Sequence, residues 1–123
     1  NYGWPVISYG VNYNGTKIGI GTAKAGMEQP RFYWDPSIAP GAIVVYRGKM
    51  FPEWNGQFLV TALKFELLSR LNQDDKGKIT EQERMFDGKF GRLRDIAVAP
   101  DGALLITTDE NNGALLRVSR AAD

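Results

Sequence analysis

A chain of 123 residues, 43% hydrophobic and 24% charged, has the material for one domain with a real core. Its 15 basic and 14 acidic side chains leave a net charge of +1, which excludes a broad basic field for nucleic acid and an acidic tail. With no cysteine and no histidine, it also excludes disulfides, thiolate metal sites, imidazole ligands and every triad built on imidazole.

The chain starts at Asn1 and not at a methionine, so processing or origin in a longer polypeptide is expected; no signal-peptide pattern is visible. No apolar run approaches the ~20 residues of a membrane helix, so no span is expected. Residues 1–29 are glycine-rich with little periodicity, and read as one or two short strands among long loops. Residues 30–40 interleave prolines with Phe32, Tyr33 and Trp34. These flat side chains either cover a planar ligand, with Ser37 donating to it, or plug a core. Strands are expected at 42–46, 57–63 and 65–71, from their β-branched, aromatic and aliphatic runs. Residues 75–83 are polar and hold a helical turn at most. Strands are expected again at 94–98, 103–108 and 114–119, separated by Ala99-Pro100-Asp101-Gly102 and Asn111-Asn112-Gly113.

Residues 41–71 and 94–120 share one plan of strand, turn, strand and return strand. Phe58-Leu59-Val60-Thr61 aligns with Leu104-Leu105-Ile106-Thr107 at an offset of 46 (104 − 58). That is close to the ~40–50 residues of a propeller blade, a unit that needs neighbours to bury its faces. The competing fold is a free-standing antiparallel sandwich. Either way the chain is expected to be a single all-β domain over 1–123.

Three segments invite a chemical reading. In Gly91-Arg92-Leu93-Arg94-Asp95, strand alternation puts Arg92 and Arg94 on one side and Leu93 on the other. Two guanidiniums in that arrangement suit several carboxylates or phosphates, and Lys64 adds a third cation. The bland alternative is a solvated edge with surface arginines, one of them paired to Asp95. Residues 72–83 imitate a twelve-residue calcium loop, with Gly77 sixth and Ile79 eighth. Lys76, however, occupies the fifth place, where a ligand oxygen belongs, so a charged hairpin loop is expected. Gly19-Ile20-Gly21 opens no helix and makes a poor dinucleotide fingerprint.

Several words in order resemble the soluble quinoprotein glucose/sorbosone dehydrogenases, including the aldose sugar dehydrogenases. They are Asn1-Tyr2-Gly3-Trp4-Pro5, Pro36-Ser37-Ile38-Ala39-Pro40, Ala62-Leu63-Lys64, and Arg92-Leu93-Arg94-Asp95 followed by Ala99-Pro100-Asp101-Gly102 and Thr108-Asp109. The resemblance implies about two antiparallel four-stranded blades, roughly the last third of a six-bladed β-propeller. It implies pyrroloquinoline quinone (PQQ) near the central axis and a calcium ion whose ligands lie outside this chain. The implied reaction oxidises an aldose at its anomeric carbon to a lactone, with hydride passing to the quinone and a histidine taking the hydroxyl proton. Residue by residue, Arg92 and Arg94 match the pair that holds the cofactor's carboxylates, and Lys64 matches a lysine that contacts it. Ser37 stands where the glucose enzymes have a threonine that hydrogen-bonds it. The family histidine is absent, and Asp35 stands where the glucose enzymes have tryptophan. The resemblance further implies a periplasmic or secreted protein whose partners are an aldose and the rest of the propeller or copies of itself. Two other readings stay open: a non-catalytic binding module that self-associates or takes an anionic ligand, and a structural β domain.

Overall fold

Seven strands form among residues 1–121, the part described by the computed structural model. The chain divides into a unit of Asn1–Ser37 and a second unit that begins at Ile38.

The first unit is made of loops. The expected short strands reduce to one isolated bridge between Val11 and Lys17, because most side chains here stay exposed and give a strand no face to bury. Order comes from Ile7, which is buried, and from backbone bonds such as Ile20 N–H to the Val6 carbonyl (2.9 Å).

The second unit is two antiparallel sheets. Strands β1 (Pro40–Val45), β2 (Phe58–Ala62), β3 (Leu68–Gln73) and β4 (Ile79–Met85) lie side by side in sequence order. Strands β5 (Leu93–Val98), β6 (Leu104–Thr108) and β7 (Leu115–Val118) form the second sheet in the same order. The second strands of the two aligned segments, β2 and β6, begin 46 residues apart (104 − 58), so the repeat seen in the sequence is a structural one. These are two successive blades of a β-propeller, the second with three strands.

The sequence reading misses β4. Its residues Thr80, Glu81, Gln82, Glu83 and Arg84 are polar on both faces, so no apolar alternation announces it. It forms as an outer strand, where charged side chains keep the edge from pairing further. The return strand begins at Leu68 and not at Phe65, because residues 63–66 are needed for a loop in which Phe65 and Glu66 have positive φ. The calcium-like segment folds as the β3–β4 hairpin. There the Asp74 carboxylate accepts from the N–H groups of Lys76 (2.9 Å) and Lys78 (2.8 Å).

The core lies between the sheets. Leu59 and Leu68 from the first meet Leu93, Ile96, Leu104 and Ile106 from the second, with Tyr46 and Phe51 completing the cluster. Tyr46 is fully buried; its hydroxyl donates to the Gly102 carbonyl (2.6 Å) and accepts from Phe51 N–H (3.1 Å). One side chain thus ties the β1–β2 connection to the β5–β6 turn, satisfying two backbone groups that burial would otherwise leave unpaired.

In that turn the Asp101 carboxylate accepts from Ala103 N–H (3.1 Å) and pairs with Arg117 on β7. The hydrogen bond from Arg117, and next that from Ala103, hold the Asp101 carboxyl below its ordinary range. A carboxylate with a depressed folded pKa adds stability above its unfolded pKa and loses it as pH falls through the folded one. Asp101→Asn is therefore expected to lower the unfolding midpoint at neutral pH. The gap to the unsubstituted protein should close as pH drops below the ordinary aspartate range. Thermal melts across pH check this; a gap that widens in acid contradicts it.

Candidate anion-binding site

Arg92 and Arg94 flank the point where β5 enters the second sheet. Leu93 between them is fully buried, and this pins the alternation that sends both arginines outward. The pairing then shifts. Leu93 opposes Thr108 and Asp95 opposes Thr107, so Arg94 is an extra residue on its strand. Such a bulge re-aims side chains and returns Ile96 to the core.

Both guanidiniums reach one carboxylate oxygen, Asp109 Oδ2, at 3.6 Å from Arg92 and 3.9 Å from Arg94. They therefore project to the same side, as the alternation predicts. Asp109 is the shared counter-charge; Asp95 instead accepts from Ile96 N–H at 2.8 Å. Asp109 N–H donates to the Arg92 carbonyl (2.7 Å), and Arg92 N–H donates to Glu110 Oε1 (2.9 Å). Gly91 makes this possible. Its φ is 78°, and a Cβ there would sit 2.3 Å from Glu110 Oε1. Two consecutive acids at the end of β6 thus fix the backbone and the charge of the fork.

The arginine side chains are 50% and 60% exposed. Long, exposed ion pairs of this kind hold little energy, so the guanidiniums are available to a better anion. A donor set of two neighbouring cations fits a ligand with more than one carboxylate.

The fork is anchored to the neighbouring sheet. The Arg94 carbonyl accepts from the buried Thr61 hydroxyl (3.1 Å), which itself accepts from Ala42 N–H (2.9 Å). Gly41 lets the backbones approach, since a Cβ there would lie 2.5 Å from the Arg94 oxygen. Thr61 is on β2, and Lys64 is exposed in the loop that follows β2. The tie between the sheets therefore sits three residues before the third predicted cation. Ser37 is exposed at the end of the first unit.

The aromatic stretch neither fills a core nor lies bare. Tyr33 stacks on Tyr9 with centroids 3.9 Å apart, and Phe32 meets Trp34 edge-on at 5.1 Å. A shallow hollow of about 470 Å³ lined by Arg31, Tyr33 and Asp35 opens beside it in the first unit. Among the described residues no group of three or more acidic side chains is placed to hold a metal ion.

Sequence reasoning assigned no role to Asp109, Glu110, Thr61 or Phe65. Asp109 lay within a family word, but nothing in its type said which cations it would join.

The family model for glucose/sorbosone dehydrogenases matches residues 1–117. The aldose sugar dehydrogenase YliI of Escherichia coli K12 is 41% identical over 97% of this chain and 32% of its own length. An uncharacterized protein of Synechocystis is 34% identical over 96% of this chain and 28% of its own. The crystal structure of the soluble E. coli aldose sugar dehydrogenase in its apo form superposes with a TM-score of 0.89 at 40% identity, over 97% of this chain and 35% of that one. A glucose dehydrogenase structure gives a TM-score of 0.89 at 36% identity, over 98% of this chain and 36% of that one. The chain thus spans about a third of the length of these relatives.

Proposed function

Since the chain belongs to the glucose/sorbosone dehydrogenase family, we propose that it supplies the cofactor-anchoring part of a PQQ-dependent sugar dehydrogenase that oxidises an aldose to its lactone. The observation that carries this is the fork: Arg92 and Arg94, on one side of one strand, reaching a single carboxylate. PQQ is a tricarboxylate, and when bound it supplies the acceptor for the hydride of the sugar. Arg92 and Arg94 hold carboxylates in place of the weak pairs with Asp109, and Lys64 adds a cation from the adjacent blade. Cations fixed in this way also favour negative charge added on reduction.

The chain has no histidine, so an imidazole base for the sugar hydroxyl comes from polypeptide outside these 123 residues, as do the calcium ligands. The rest of a six-bladed propeller is the natural neighbour of the exposed Ile43 and Val45 on β1 and Leu115 on β7. We favour it over copies of this chain because the relatives carry about twice as much polypeptide again. A periplasmic or secreted location follows the family resemblance. Among the described residues no helix is long and apolar enough to cross a membrane.

Calorimetric titration with PQQ tests the reading. One saturable site is expected, with affinity falling as salt rises, because the ligand is held by charge pairs near the surface. Absence of binding, or binding indifferent to salt, contradicts it.

A further inference from the structure

We propose that Phe65 is a positioning residue for Lys64, holding its ammonium over an aromatic face so that the third cation of the anion site is set before a ligand arrives. The proposal deepens the function argued above and rests on that reading for its ligand. Two observations carry it.

The first is backbone strain in an unusual place. Phe65 and Glu66 are consecutive non-glycine residues with φ of 63° and 54°. The left-handed region is unfavourable for any side chain with a Cβ and is an outlier for a bulky one; glycine or asparagine is the inexpensive choice. The loop is held there by four backbone bonds. Ala62 N–H donates to Leu67 (2.9 Å), Leu63 N–H to Ala39 (3.0 Å), Lys64 N–H to Ile38 (3.0 Å) and Gly88 N–H to Glu66 (3.1 Å). Strain retained by such over-determined surroundings concentrates where function needs it.

The second is what the strained residue does. Phe65 is 40% exposed and lies outside the hydrophobic cluster, so core packing does not explain a phenylalanine here. Its ring instead lies under Lys64 Nζ, 5.4 Å from the centroid, within cation–π range. A lysine has a long, mobile stem, and a fixed ring beneath its head removes part of the freedom that binding would otherwise have to remove.

The test is Phe65→Asn, which suits the left-handed backbone and deletes the ring, beside Phe65→Trp, which keeps an aromatic face. Three readouts are used: thermal melts, PQQ titration, and the NMR shift of the Lys64 ε-protons in quinone-free protein. Phe65→Asn is expected to leave the midpoint unchanged or raise it by about 2–4 °C, while weakening PQQ binding about two- to five-fold. It should also abolish an upfield ring-current shift at Lys64. Phe65→Trp should retain both the shift and the affinity, and Phe65→Asn should add no further loss in a Lys64→Ala background. A lowered midpoint with Phe65→Asn, the same affinity loss without Lys64, or Lys64 ε-protons with no upfield shift would overturn the proposal. Failure of the unsubstituted protein to take up PQQ defeats the function proposed above; the Lys64 shift decides the placement of the ammonium independently of it.

Discussion

Replacing Arg92 and Arg94 together by alanine is expected to weaken PQQ binding by about 10²- to 10⁴-fold and leave the fold intact. A hydrogen bond to a charged group contributes about 1.5–3 kcal/mol, and each 1.4 kcal/mol is tenfold in affinity. Deleting two such hydrogen bonds at once therefore multiplies to that range, if the arginines act independently. The fold is spared because both side chains are half exposed or more and their pairs with Asp109 are 3.6 and 3.9 Å long. Titration of the double variant beside its melting curve separates the two effects. Lysine at both positions keeps the charge but not the planar fork, and is expected to recover only part of the affinity. Affinity within about three-fold of the unsubstituted protein, on a scale where one charged hydrogen bond is worth at least about ten-fold, would remove the fork from the site.

Leu104→Ala carries the largest expected effect on stability. Leu104 is fully buried on β6, in the cluster it shares with Leu59 and Leu68 of the other sheet. Truncating a buried leucine costs about 2–5 kcal/mol, because the transfer and cavity contributions add. Against a domain stability of about 5–15 kcal/mol, this is a drop in midpoint of roughly 10–20 °C. Leu115→Ala is the control. That side chain is 67% exposed on β7, and its loss is expected to shift stability by no more than about 0.5 kcal/mol. Equal destabilisation by the two substitutions would mean that the core does not lie between the sheets.

The parts of the fold legible in the sequence are those with a buried face. The strands around Val60 and Ile106 declare themselves by apolar runs ending in turns, and Ala99-Pro100-Asp101-Gly102 forms the expected turn, with Gly102 at φ 91°. Strand β4 was illegible because Glu81 and Glu83 interrupt the alternation between Ile79 and the half-buried Met85, so no apolar pattern is written there. Its partner β3 and its place at the edge decide it. The loop at Phe65 was illegible for a different reason. Two residues that disfavour positive φ adopt it because backbone partners distant in sequence hold them there.

The same division holds at the site. That Arg92 and Arg94 share a side follows from alternation about Leu93. That Arg94 is the bulged residue, seated on Thr61 of the next sheet, depends on pairing no local pattern encodes. Asp95 was the obvious partner by proximity; Asp109, fifteen residues from Arg94 (109 − 94), is the one that the β5–β6 hairpin delivers. Lys64 as a third cation and Ser37 as a donor were readable from the residues, and the resemblance sharpened both into cofactor contacts; the fold adds the loop and the ring that hold Lys64.

A crystal structure of the protein grown with PQQ is the most direct measurement. It should show carboxylate oxygens of the quinone about 3 Å from the guanidiniums of both Arg92 and Arg94, with those side chains drawn away from Asp109. Quinone bound elsewhere, with both arginines still resting on Asp109, would contradict the account.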